Sequence, residues 1–356
     1  MSAVTPGLVC GHHHLYSTLA RGMPAPPRQP TDFLSILDQV WWRLDVALDL
    51  DMLRAAARLG AVEALLCGTT AIVDHHESPS CIEGSLSVIA EACAEVGVRV
   101  DVAYGVTDRW SDDGTLVDAA SGPPSSMTDA ARRGLAECER FLRDGGRGMV
   151  GVHAAFTCSD ETLDAAAGLA RDLGVGVHVH VAEGSVDVSA GDRLARRAAD
   201  DWLLVHGVHL DRVLPGTLAH NPRSNMNNGV GYARPTARPN RIVLGTDGIG
   251  ADMLEEFRLA YVRLREFDLS ASPDTPWSWL ANGAERFFPE VAHDRVTWSY
   301  DHADSAWHVA FTPGVRAIEV VVDGEVLLAD GRPTRVDLDE VRAHAAEQAA
   351  RLFSKL

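Results

Sequence analysis

The feature that most limits what this chain can fold into is a series of eight short apolar runs, at 7–14, 70–76, 99–108, 148–156, 175–183, 202–210, 216–222 and 241–248. Each is nearly continuously apolar rather than alternating, the pattern of parallel strands covered on both faces. Between most of them lie segments with apolar residues at helical spacing, at 51–66, 84–96, 129–143 and 160–173. Eight strands alternating with helices predict an α/β fold, a (β/α)8 TIM barrel, whose reactive groups sit at the C-terminal ends of the strands. Two connections are thin. Residues 211–215 hold hardly more than one turn, and 231–240 contain two prolines, which suit a helix interior badly. The helices around the sixth and seventh strands are therefore expected to be trimmed.

After residue 290 the pattern changes. Residues 295–300, 306–311, 316–322 and 325–328 read as short antiparallel strands with a turn at Asp323-Gly324, and 338–356 as a helix. This predicts a barrel over 1–290 and a small remnant β-subdomain with a C-terminal helix over 291–356. A proline-rich loop at 24–30 leads into an aromatic segment, 32–50, carrying Trp41 and Trp42.

The formal charge is −18. A surface this acidic repels phosphate backbones and anionic lipid heads, which argues against nucleic-acid and membrane partners. No apolar run approaches the ~20 residues of a membrane span, and no basic segment precedes an apolar stretch at the N-terminus. None of the six cysteines forms a CxxC pair. The expectation is a soluble cytoplasmic protein with free thiols. Lys355 is the only lysine, so Schiff-base chemistry, a phosphate-loop lysine and a lysine-bridged metal pair are excluded. Fifteen histidines stand against that one lysine.

Their placement carries the chemistry. Cys10-Gly11-His12-His13-His14 ends the first run. Alternate residues of a strand share a face, so His12 and His14 can converge on one metal ion while His13 points elsewhere. Alone, such a pair is more often packing. Three other strand ends add His178-Val179-His180-Val181-Ala182-Glu183, Val205-His206-Gly207 and Gly245-Thr246-Asp247-Gly248. Imidazoles with one carboxylate suit zinc or another borderline divalent ion, with a position open for water. A barrel would gather all four segments at one mouth.

His12-His13-His14, His180-x-x-Glu183, His206 and Thr246-Asp247-Gly248, in this order, resemble the amidohydrolase superfamily, within it the guanine-deaminase and chlorohydrolase-like branch. The stretch from Pro6 to Ser17, Asp74-His75-His76-Glu77, and the run from His220 to Asn228 are similar to the aminohydrolases named SsnA. The 8-oxoguanine deaminases share the triple histidine and the Asp-His-His. The resemblance covers roughly residues 6–290. It implies that His12, His14, His180 and Asp247 ligate one divalent metal, zinc or alternatively ferrous iron. It further implies that Glu183 moves protons, that His206 holds or polarises the bound water, and that His153 contacts substrate. A metal lowers the pKa of bound water, making hydroxide available near neutral pH. Asp247 can accept the water's proton, and Glu183 can lean over the substrate from the following loop.

Tyr16, Arg21, His76 and Arg223 are further candidates for substrate contact. Arg223 and Asn225 could equally order their own loop. Trp41 and Trp42 read as packing of a covering helix. His178 lies one layer deeper than His180 and reads as a buried, hydrogen-bonded histidine. His13 and His209 read as packing, and His293, His302, His308 and His344 as structural.

The resemblance leads one to expect a β-rich lobe before the first barrel strand. The sequence opens at that strand, so the expectation is a barrel without the lobe, covered by a second copy in a homodimer. Gly105 stands where the resemblance implies an acidic residue, which points to a different substrate. The function expected is hydrolysis of a C–N bond in a small nitrogen heterocycle, deamination of a purine- or pyrimidine-like ring. The alternatives are ring opening of a cyclic amide or amidine at the same site, and a non-catalytic barrel subunit.

Overall fold

Eight parallel strands form the centre of the computed structural model, which describes residues 2–111, 116 and 122–356. A short strand β1 (Val4–Thr5) precedes them. The barrel strands are β2 (Leu8–His13), β3 (Thr69–His76), β4 (Arg99–Tyr104), β5 (Val150–Ala154), β6 (Val177–Val181), β7 (Leu203–His206), β8 (Thr217–His220) and β9 (Ile242–Leu244). They pair in chain order as two arcs, β2–β4 and β5–β9. Backbone hydrogen bonds join the arcs. At one seam Val102 N–H donates to Arg147 O and His153 N–H to Val106 O; at the other, Thr246 and Asp247 N–H both donate to the His12 carbonyl. The barrel is closed, as the eight apolar runs predict.

The β4–β5 seam depends on glycine. A Cβ on Gly148 would lie 1.9 Å from the Val102 carbonyl oxygen, and one on Gly151 2.1 Å from that of Tyr104. No side chain fits there, so Gly148 and Gly151 let the two arcs approach to hydrogen-bonding distance.

Helices cover the outside: α1 (Phe33–Ile36), α2 (Trp42–Ala47), α3 (Leu50–Leu66), α4 (Ser85–Val96), α5 (Asp129–Arg143), α6 (Asp160–Leu173), α7 (Ala190–Leu194), α8 (Pro222–Asn227), α9 (Met253–Phe267), α10 (Asp274–Phe287), α11 (Ala306–Phe311) and α12 (Leu338–Phe353). Several start at a side-chain cap, as Asp49, Thr128, Ser159 and Asp252 do, each satisfying an orphan N–H of the first turn. The outer ring is trimmed where expected. Residues 207–216 contain no helix, and after β8 there are only α8 and a turn of 3₁₀ helix at Pro235–Ala237.

A five-stranded antiparallel sheet, β1–β10–β11–β12–β13, is built with β10 (Arg295–Trp298), β11 (Ala317–Val322), β12 (Glu325–Ala329) and β13 (Arg332–Pro333). Val4 pairs with Thr297, so residues ahead of the first barrel strand belong to this sheet; the sequence reading, which opened at that strand, missed them. The expectation of a strand at 306–311 is also overturned, because these residues form α11. Ala306, Val309 and Ala310 are its buried positions, an i, i+3, i+4 spacing that belongs to a helix. The sheet packs on the barrel, and Val296, Trp298, Val320 and Leu328 share one apolar cluster with Leu65 and Ile72.

Candidate metal centre

His12, His14, His180 and Asp247 meet at the C-terminal mouth of the barrel, each offering one ligand atom, all within 4.8 Å of one another. A β-bulge makes this possible. The register of β2 against β3 shifts between Cys10 and His13, which re-aims the strand. Val9 packs in the barrel interior, and the extra residue lets His12 and His14 also face inward, although they have the opposite parity.

The donor set fits a cation. His14 donates from Nδ1 to the His75 carbonyl, and His180 from Nδ1 to the His153 carbonyl, both at 2.6 Å. A ring that is neutral then carries a lone pair on Nε2, and these two nitrogens face each other at 3.2 Å. Facing lone pairs repel unless a positive charge lies between them. Asp247 Oδ1 is 3.3 Å from His12 Nε2 and 3.0 Å from His14 Nε2. Burial and the neighbouring imidazoles keep His180 well below its usual pKa, hence neutral. Burial opposes charge on His14 too, but Asp247 and Asp74 outweigh it and lift that ring to about 9. Burial would raise Asp247, yet bonds from His12 and His14 hold it well below the usual carboxylate range. The cluster is built around one positive charge, and three imidazoles with one carboxylate suit a single divalent ion.

Two groups flank the cluster and share Asp247 with it. Glu183 Oε2 lies 3.3 Å from His206 Nε2, and Glu183, His206 and Asp247 form a second convergent set. Backbone strain aims them. Ala182, His206 and Asp247 have φ of 47°, 69° and 55°, the left-handed region that costs a non-glycine residue ~1–2 kcal/mol. Strand alternation would turn Glu183 and His206 away from the mouth; the left-handed turns bring them back. Burial raises the Glu183 carboxyl, with His206 opposing.

One short helix holds all three groups. From α8, Ser224 Oγ donates to Asp247 Oδ2, and Asn225 Oδ1 accepts from His206 Nδ1 at 2.8 Å. Just beyond it, Asn228 Nδ2 donates to Glu183 Oε1 at 3.2 Å. The sequence signal is the run Ser224-Asn225-Met226-Asn227-Asn228 directly after a barrel strand, which carries part of the resemblance but gives Ser224 and Asn228 no role.

The cluster opens into a solvent-connected cleft. Phe33, Leu37, Trp41 and Phe156 give it an apolar wall; His153, Tyr16, Glu183 and Asn228 give polar edges. His153 Nδ1 pairs with Thr157 Oγ1 at 2.6 Å, leaving Nε2 3.7 Å from Glu77 Oε1. A buried triad that sequence reasoning missed closes the far side. Arg109, 2% exposed, bonds both Glu77 and Asp45 and lies 4.9 Å from the Trp42 ring. Burial pushes Glu77 up to about 8 against the pull of Arg109. Gly105 has its reason here: a Cβ would lie 2.5 Å from His75 and 2.8 Å from Glu77.

Of the candidate substrate contacts, Tyr16 and His153 line this cleft. Arg21 is exposed and paired with Glu63 at 2.9 Å. His76 is fully buried, with Nε2 bonded to Ser78 Oγ at 2.7 Å. Arg223 ties α8 to α9 through Glu256 and the Ile249 carbonyl. None of these three lines the cleft.

A closed barrel with histidines and an aspartate gathered at its C-terminal mouth defines a metal-dependent hydrolase. The model of the Amidohydrolase family matches residues 3–278, and the chain belongs to that family. It is 29% identical to 5'-deoxyadenosine deaminase of Methanopyrus kandleri, over 99% of this chain and 87% of that protein. It is 29% identical to 8-oxoguanine deaminase of Pseudomonas aeruginosa, over 99% and 88%. Among solved structures, an adenosine deaminase from Xanthomonas campestris with bound zinc superposes with a TM-score of 0.80 at 20% identity, covering 99% of this chain and 86% of that one. The zinc complex of atrazine chlorohydrolase TrzN from Arthrobacter aurescens gives 0.76 at 22%, covering 97% and 88%.

Proposed function

We propose that this chain hydrolyses a C–N bond of a nitrogen heterocycle, deaminating a purine- or pyrimidine-like substrate. The observation that carries the reading is the Glu183–His206 contact at 3.3 Å, beside the four-ligand cluster and at the floor of an aromatic-walled cleft. The relatives that deaminate 5'-deoxyadenosine and 8-oxoguanine support a purine-like ring.

In this reading His12, His14, His180 and Asp247 hold the metal, which when bound polarises a water and lowers its pKa. The remaining work belongs to the chain. Glu183, whose carboxyl burial raises above its ordinary value, gives its proton to a ring nitrogen and takes one back from the hydroxyl on the attacked carbon as the amine leaves. Asn228 fixes one of its oxygens. His206, held at Nδ1 by Asn225, presents Nε2 to orient the attacking water. Asp247 takes the water's proton on the carboxylate that Ser224 steadies and gives it to the leaving amine. His153 Nε2 bonds the ring edge, with Tyr16 beside it, while Phe33, Trp41 and Phe156 cover its faces. Arg21, His76 and Arg223 have no part in substrate binding here.

A screen of aminopurines, aminopyrimidines and their nucleosides for ammonia release tests this. Ammonia with loss of the ring amine is expected. A gain of water without ammonia would replace deamination by ring opening, and zinc-loaded protein inert on every compound would overturn the reading.

We also propose that the protein works as a cytoplasmic homodimer. Trp307 (54% exposed) and Phe311 (67%) on α11 stack on each other, with Phe311 edge-on to Tyr261 of α9, an exposed apolar patch of the kind that mates with a second copy. The six cysteines are unpaired, which supports a reducing compartment. No helix among the described residues is long and apolar enough to cross a membrane. Sedimentation at micromolar concentration should give about twice the 38.3 kDa of the chain. Trp307→Glu should shift it to the monomer, and a wild-type monomer across that range would refute the dimer.

A further inference from the structure

An imidazole that binds a metal through one nitrogen needs a partner for the N–H on the other, and that partner fixes the ring's tautomer and direction. For His14 and His180 the partner is a carbonyl at the end of a neighbouring strand. His12 departs from this pattern. Its Nδ1 lies 2.9 Å from Nε2 of His178, with the two rings edge to face at a centroid separation of 5.0 Å. Both residues are wholly buried.

His178 stands two residues before His180 on β6 and faces the same interior, one layer deeper. When His12 Nε2 carries a lone pair, the His12 proton sits on Nδ1 and donates to His178 Nε2. The proton of His178 then sits on its own Nδ1, a buried atom without a hydrogen-bond partner among the described residues. An interior position with a polar atom left over is poor packing, and an aliphatic residue would serve the core better. Its compensation is the hold on His12.

We propose that His178 is the positioning residue of the metal centre: it orients the His12 ring and fixes the tautomer that leaves Nε2 free to ligate. The inference rests on the metal-centre reading above and adds to it a group that touches neither metal nor substrate.

The test is the zinc affinity of the apoprotein, measured by competition with a chromophoric chelator. His178→Leu should lower it 10–100-fold. His178→Gln, whose amide oxygen reaches the same nitrogen, should stay within a few-fold of wild type. The apo melting temperature of His178→Leu should not fall in step with the affinity, as a general packing defect would require. If His178→Leu fails to fold, His178→Asn, polar but too short to reach His12, should show the same loss. Unchanged affinity in whichever of these two variants folds would overturn the proposal. Nitrogen-15 spectra of zinc-loaded wild type should place the His12 proton on Nδ1; a proton on Nε2 would refute it without any variant. If wild type takes up no zinc, it is the metal-centre reading that fails, a result distinct from both.

Discussion

Glu183→Gln is expected to leave the metal bound and to lower kcat by about two to four orders of magnitude, the range supplied by a positioned acid–base group. The substitution keeps the side chain's size and its hydrogen bond with Asn228, since an amide oxygen accepts from Asn228 Nδ2 as the carboxylate does. What it removes is a titratable proton 3.3 Å from His206. Glu183 is outside the four-ligand cluster, so metal content should stay at one equivalent and KM should change far less than kcat. Full activity in this variant would remove Glu183 from the proton route, and parallel loss of metal would make it a ligand instead.

Removing the metal with a chelator should abolish turnover, and added zinc should restore it. The geometry also predicts a loss of stability. With both Nδ1 atoms of His14 and His180 committed to carbonyls, their Nε2 atoms face each other at 3.2 Å, so folding without a cation brings two lone pairs together or requires a proton there. Zinc at about a hundred times its dissociation constant contributes about 2.7 kcal/mol to the folded state, a rise of about 4 °C in melting temperature for a chain this long. His180→Asn should erase that difference. Equal melting temperatures with and without zinc would mean that the cluster does not bind it.

Arg109 shows how much of the site the sequence conceals. Nothing in Tyr-Gly-Val-Thr-Asp-Arg marks an arginine that will be buried between Glu77 and Asp45. Asp45 comes from the α2 segment that covers the cleft and Glu77 from the end of β3. Their meeting is a property of the folded barrel. Arg223 shows the reverse: a cation on the right loop, whose partner Glu256 lies 33 residues on, draws it away from the cleft.

The sequence by itself determined the barrel, because parallel strands buried on both faces must be continuously apolar and eight such runs leave few alternatives. It also determined the candidate metal cluster, because His12 with His14, and His180 and Asp247, fall at strand ends that any closed barrel brings to one mouth. Three things were left to the tertiary structure. The bulge in β2 decides that Val9 and His12 both face inward, against strict alternation. The left-handed turns at Ala182 and His206 decide that Glu183 and His206 face Asp247 and the mouth of the barrel rather than the outer helices. The contacts of α8 decide which oxygen and which ring nitrogen of each remains free to react. The physical reason is common to all three. Periodicity encodes which face of a regular strand is apolar, but these groups sit where the strands stop being regular, and packing against distant neighbours sustains the strain.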